Sequence, residues 1–140
     1  MNTKKIGDIG ESAIISEFVY YGISVYLPFG DNEAFDLLAY FDGKFQKIQV
    51  KTSSKIKDGK IDFKLGVRRY NADHSYSTDE VDYFALYCIE NRKCYLYQNT
   101  EKSNSRSIFL RVSSPLQGQV KYARMAEDYE FKKKFSGLAQ

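Results

Sequence analysis

Apolar residues recur at helical spacing through the first part of the chain. At roughly 100° per residue, Ile6, Ile9, Ala13 and Tyr20 fall on one face, and Ile14 and Phe18 continue it. This spacing predicts a helix over residues 3–21, capped by Asn2 or Thr3 and ended by Gly22. The helix is apolar nearly all round, so it is expected to be covered on more than one side. A short strand at 24–27 stops at Pro28, and the loop "FGDNE" leads into two alternating runs around Asp42-Gly43. Residues 61–65 and 81–89 read as strands, a polar "ENRK" turn leads into 94–98, and 108–112 has strand character. Residues 126–135 read as a closing amphipathic helix that carries the basic run Lys132–Lys134. A helix, then strands, then a mixed remainder points to α/β or α+β architecture with one sheet. The length of 140 residues predicts one domain, 1–140.

The pair Asp42-Gly43 between alternating runs is a signal for a two-residue type I′ turn. Such a turn sets the register. Phe41 then faces Lys44, and Asp36 lies directly opposite Gln49 with Cβ atoms about 5 Å apart. Lys51, two residues further on, points to the same face as Gln49. Leu37, Ala39, Phe41, Ile48 and Val50 take the other face, where they can pack against the helix. A slip of one residue would destroy the apolar and the polar set together.

A carboxylate, a second oxygen ligand and a lysine on one surface suit metal-assisted phosphodiester hydrolysis. Mg²⁺ takes hard oxygen ligands and keeps several waters. Gln49 can ligate only through its amide oxygen, which carries no full charge, so its metal is held more weakly than by two acids. Glu11 lies in an apolar sector of the helix, between Phe18 and Ile15, and a buried carboxylate needs a partner. A cation in the site would be one. The alternative is a capping box formed by Asp8 and Glu11 in a helix that begins there. Glu17 also falls among apolar positions, so placement alone does not decide. Gly7 and Gly10 would let this end of the helix approach another backbone closely. The plain reading of Asp36, Gln49 and Lys51 remains a surface ladder of cross-strand polar pairs.

Composition narrows the setting. Hydrophobic residues make up 43% and mean hydropathy is −0.50, as in a soluble globular protein. No apolar run approaches the roughly 18 residues of a membrane span, and the N-terminus lacks the apolar core of a secretory signal. A cytoplasmic protein with no membrane partner is expected. Cys88 and Cys94 lack metal-ligand spacing, and His74 is the sole histidine, so zinc is not expected and both thiols read as reduced. The net charge of +3 is unevenly placed. Residues 1–43 hold Lys4 and Lys5 against seven acids, net −5; residues 44–69 hold nine Lys/Arg against Asp58 and Asp62, net +7; residues 70–140 hold ten bases against nine acids, net +1. The basic segment is either a surface for a polyanion or a solvated loop.

"GDIGE" with Glu11, "AFDLLA" with Asp36 and "IQVKTSS" with Gln49 and Lys51 together resemble the PD-(D/E)XK nuclease superfamily. Within it the chain resembles the bacterial homing endonucleases encoded in group I introns, those of cyanobacterial tRNA introns among them. The motifs cover residues 7–54. The resemblance implies a restriction-endonuclease-like core, a mixed central sheet flanked by helices. The catalytic core would span about 3–98, with a C-terminal strand and helix over 108–136. It implies double-strand DNA cleavage with Mg²⁺, for which Mn²⁺ would substitute. Asp36 would be the principal metal ligand and Glu11 an acidic member of the centre. Gln49 would replace the usual second acid, the Val50 backbone carbonyl would complete the ligands, and Lys51 would be the catalytic lysine. Phe35 stands where the family has proline. A Holliday-junction resolvase and an inactive DNA-binding module are the competing readings.

For DNA contact the candidates are Lys47, on the Gln49 face, and Lys55, Lys57, Lys60, Lys64, Arg68 and Arg69. Lysines supply mostly phosphate affinity, while Arg68 and Arg69 suit bidentate base contacts. Tyr70 and Tyr76 read as packing residues. Cutting two strands over a long site calls for two centres, hence a homo-oligomer, a dimer or a tetramer.

Overall fold

A computed structural model describes residues 1–69, 72–100, 106–113 and 123–137, with backbone alone for 67–69 and 72–74. Helix α1 spans Thr3–Tyr20. Asn2 is its cap, with Oδ1 accepting the Lys5 N–H at 2.8 Å, and Gly22 ends it at φ +76°. Its buried stripe is Gly10, Ile14 and Phe18, one residue per helical turn. Val19 and Tyr20 are 60% and 66% exposed. Among the described residues the helix is therefore covered on one side, and Tyr20 lies off the core, contrary to the face drawn from sequence.

Nine strands follow among the described residues: β1 Val25–Tyr26, β2 Leu37–Phe41, β3 Lys44–Ser53, β4 Lys60–Lys64, β5 Val67–Arg69, β6 Ala72–His74, β7 Tyr83–Cys88, β8 Lys93–Gln98 and β9 Ser107–Arg111. The central sheet runs β1-β2-β3-β7-β8. Only β3 and β7 are parallel within it, so the sheet is mixed. β4 pairs with β9 and β5 with β6 in separate ladders, so where the sequence led one to expect a single sheet the described residues form three. The closing helix is likewise divided. A 3-10 turn over Ala126–Tyr129 and helix α2, Phe131–Phe135, are separated by extended Glu130 at ψ 146°.

Alternation along the strands gives the sheet two covered faces. On one, Leu37, Ala39, Phe41 and Ile48 meet Ile14 and Phe18 of α1 and Phe131 and Phe135 of α2. Phe18 and Phe131 meet edge-on at 4.8 Å between centroids; each such buried ring is worth about 3 kcal/mol. On the other face, Phe84, Leu86, Tyr95 and Tyr97 pack against Ile61, Phe63, Ile108 and Leu110 of the β4–β9 ladder. Cys88 and Cys94 are free and lie on opposite faces. Burial pushes the Cys94 thiol up to about 12.

Candidate active site

Asp42 and Gly43 both adopt positive φ, 54° and 78°, as a type I′ turn requires. The ladder it sets runs from Phe41↔Lys44 to Leu37↔Ile48, the expected register. At Asp36 the geometry departs from it. The Asp36 N–H donates to the Ile48 carbonyl at 2.8 Å, although Leu37 already pairs with Ile48. Two successive residues address one, which is the arrangement of a β-bulge, a device that re-aims a side chain. The Asp36 carboxylate consequently accepts the Val50 N–H at 2.8 Å instead of lying opposite Gln49. A strand residue sends its N–H and C=O to the same edge, so the Val50 carbonyl projects there too, beyond the last β2 ladder pair.

Gln49 and Lys51 alternate onto the other face of β3, beside Phe84 and Leu86 of β7. Two glutamines on this strand behave differently. Buried Gln46 donates its amide to the Phe41 carbonyl at 3.0 Å. Gln49 Oε1 is buried and has no hydrogen-bond partner among the described residues. The Lys51 ammonium stands 5.1 Å from the centroid of the Tyr76 ring. Burial pushes its pKa down, and Asp36 opposes that.

Helix α1 closes the site from the opposite layer. A Cβ on Gly10 would collide with the Thr52 side chain, so glycine is what lets the helix lie on β3 next to Lys51. Gly7 faces open space and has no such role. Glu11 follows directly. Its carboxyl is raised by burial, then by the Asp36 and Asp8 charges. Asp36 is itself raised by burial, held back by the Val50 N–H and by Lys51. Glu11, Asp36 and Lys51 thus share one electrostatic environment. The capping-box alternative fails, because the helix begins five residues before Asp8 at Thr3 and Asn2 caps it. Glu17 responds to burial and to Glu130 instead.

The donors here are two carboxylates that resist ionisation, an unsatisfied amide oxygen and a strand-edge carbonyl. All are hard oxygens, and a divalent cation such as Mg²⁺ would satisfy them together. Among the described residues no three His, Cys, Asp or Glu side chains gather to hold a metal.

The basic candidates are dispersed. Lys55 and Lys57 are exposed where the chain leaves β3. Lys64 pairs with Asp62 at 2.8 Å and Lys60 rests on the Phe109 ring at 4.7 Å. Both lie on the outer side of β4, whose Ile61 and Phe63 point inward. Lys47 donates to the Asp79 carbonyl at 2.7 Å, in a hollow of about 580 Å³ shared with Asp31, Glu33, Asp79 and Glu80. That acidic setting counts against Lys47 as a phosphate contact. The Arg68 and Arg69 side chains and Tyr70 lie outside the described residues. Tyr76 is buried as expected, but it also touches Lys51. Ser77 and Glu80 carry the S-x-x-E signature that fixes the turn after it, the one local signal that could have drawn attention there.

A bulged hairpin acid, a helix acid and a half-buried lysine on a mixed sheet define a restriction-endonuclease-like nuclease fold. The fold is shared with the bacterial homing endonuclease I-Ssp6803I, at TM-score 0.72 and 24% identity over 93% of this chain and 89% of that one. The profile of the PD-(D/E)XK endonuclease family matches residues 1–132, and the chain belongs to that family. Comparison with curated protein sequences gives no significant match.

Proposed function

We propose that the protein is a site-specific endonuclease that cuts both strands of duplex DNA with Mg²⁺, or with Mn²⁺ in its place, in the homing of an intron. The observation that carries this reading is the buried Gln49 oxygen, without a hydrogen-bond partner among the described residues, on the strand whose Val50 N–H holds the Asp36 carboxyl that burial raises. Asp36, Glu11, Gln49 and the Val50 carbonyl would hold the metal. When bound, it supplies Lewis-acid polarisation of the scissile phosphate and a hydroxide nucleophile near neutral pH. The Val50 N–H keeps the Asp36 carboxylate aimed inward. Lys51 offsets the negative charge that develops on the phosphate oxygens, in a site where burial makes that charge interaction strong. Lys55 and Lys57, with Lys60, Lys64, Arg68 and Arg69, track the DNA backbone and its groove. One chain carries one centre, so a double-strand cut calls for a homo-oligomer, a dimer or a tetramer. No described helix is long and apolar enough to cross a membrane, and the reading places the protein with DNA in the cytoplasm.

The test is cleavage of linear duplex and of a four-way junction, each with Mg²⁺ and with EDTA. Cutting of linear duplex with Mg²⁺ alone supports the proposal. Preference for the junction would transfer the protein to the resolvases. Binding without cutting under any metal would make it a DNA-binding module.

A further inference from the structure

We propose that Tyr76 is a positioning residue for Lys51: its ring is the seat of the lysine ammonium, and Asn99 locks that seat in place. The inference rests on the reading of Lys51 as the lysine that acts on the phosphate. The 5.1 Å separation between Nζ and ring centroid lies within the roughly 6 Å reach of a cation–π contact. A lysine on a flexible four-carbon stem needs a second restraint to hold one position. Its ionic neighbour Asp36 is already turned toward Val50. The ring offers an apolar body for the stem and a negative face for the charge.

The ring is fixed from several directions. Tyr76 is 7% exposed and packs edge-on against Phe84 at 6.1 Å, the residue in register with Gln49. Its carbonyl accepts from Asn99 Nδ2 at 3.2 Å. The same amide donates to the Ser77 carbonyl at 3.2 Å and the Val81 carbonyl at 2.9 Å. The Ser77 N–H donates to Glu80 Oε1 at 3.1 Å, and the Asn99 N–H to the Asp82 carbonyl at 2.9 Å. From β3, the Lys47 ammonium holds Asp79 at 2.7 Å and the Lys47 N–H holds the Asp82 carboxylate at 2.8 Å. The turn over 76–82 is thus tied to the end of β8 and to β3. This gives a buried asparagine, Asn99, and the twice-bonded Lys47 one common purpose: they hold the Tyr76 ring against Lys51.

The experiment compares Tyr76→Phe, which keeps the ring, with Tyr76→Leu, which removes it. Single-turnover cleavage of linear duplex should stay within about 2-fold for Phe and fall about 10–100-fold for Leu, a loss typical of misplaced catalytic groups. The Kd for the same DNA in EDTA should hardly change for either, so the effect falls on the rate and not on binding. Independently, the Lys51 ε-methylene protons of the metal-free wild type should show an upfield ring-current shift, assigned with Lys51→Arg. The shift should be retained in Tyr76→Phe and lost in Tyr76→Leu. Lys51 resonances at exposed-lysine positions in the wild type, or an unchanged rate in a folded Tyr76→Leu protein, would overturn the proposal. Should the wild type cut no DNA at all, that outcome strikes the nuclease reading, while the resonances still decide whether Tyr76 seats the lysine.

Discussion

Two Asp-Gly turns bracket β3 and have nearly the same backbone, Asp42 and Gly43 at φ 54° and 78°, Asp58 and Gly59 at 54° and 75°. Both are tied down by the later part of the chain, the first by Lys134 to Asp42 at 2.8 Å, the second by Arg111 to the Asp58 carbonyl at 3.4 Å. Their surroundings differ. The first joins β2 and β3 within the central sheet and leads to a polar set that burial disfavours, Asp36, Gln49 and Lys51. The second closes a single bridge, Lys57↔Lys60, and sends the chain out of that sheet to pair with β9. Its polar row, Lys60, Asp62 and Lys64, faces outward and contains an ion pair through Asp62 Oδ2, although Asp62 Oδ1 is buried with no hydrogen-bond partner among the described residues. Identical local turns therefore serve opposite ends. What separates them is the charged pair beside each turn: burial disfavours the ionised forms of Asp36 and Lys51, as at functional sites, whereas Lys64 meets Asp62 with an ammonium that is mostly exposed.

That contrast can be broken most sharply at Asp36. Asp36→Asn should reduce cleavage to background and at the same time raise stability by about 1 kcal/mol at neutral pH, the stability–activity trade-off of a charged site. The sign follows from its raised pKa. The native state then binds the proton more tightly than the unfolded chain, so ionisation costs stability as pH rises from the ordinary carboxylate value through the raised one. Melting curves of wild type and variant should therefore diverge at neutral pH and converge in acid. Convergence at all pH values would remove the burial argument. Lys51→Ala should lower the single-turnover rate about 10²–10³-fold; an intact rate would end the proposed mechanism. Gly10→Ala drives a methyl group into Thr52 and should destabilise by about 1–3 kcal/mol, measured by urea titration, whereas Gly7→Ala should be neutral or mildly stabilising. On the solvated side, Lys57→Ala should flatten the slope of log K against log salt by about 1 for DNA binding. Lys64→Ala, whose ammonium is already paired with Asp62, should flatten it less. An equal effect of the two would show that the outer row serves DNA as fully as the exposed turn.

Much of this was readable from local chemistry. The Asp-Gly pair and strict alternation specified the first hairpin and its register, because a two-residue turn with two positive φ angles admits one pairing. Asn2 and Gly22 marked the ends of α1 for similar reasons of capping and conformation. The motif residues Glu11, Asp36, Gln49 and Lys51 stood at recognisable spacings, and the structure brings the acids and the lysine into one field. The bulge at Asp36 was not legible, since it arises where β2 runs out and a carboxylate takes up the Val50 N–H that has lost its backbone partner. The break at Glu130 escaped because Phe131 and Phe135 are recruited by Phe18, far away in the chain, at the expense of a continuous helix. Pairing of β4 with β9, rather than with β3, likewise follows from the need to cover the second face of the sheet. Short-range torsional and hydrogen-bond preferences thus dictated the turns, the helix ends and the reading of the motif. The seat of Lys51, the orphaned Gln49 oxygen and the aim of Asp36 depend on contacts between distant segments, which no local pattern encodes.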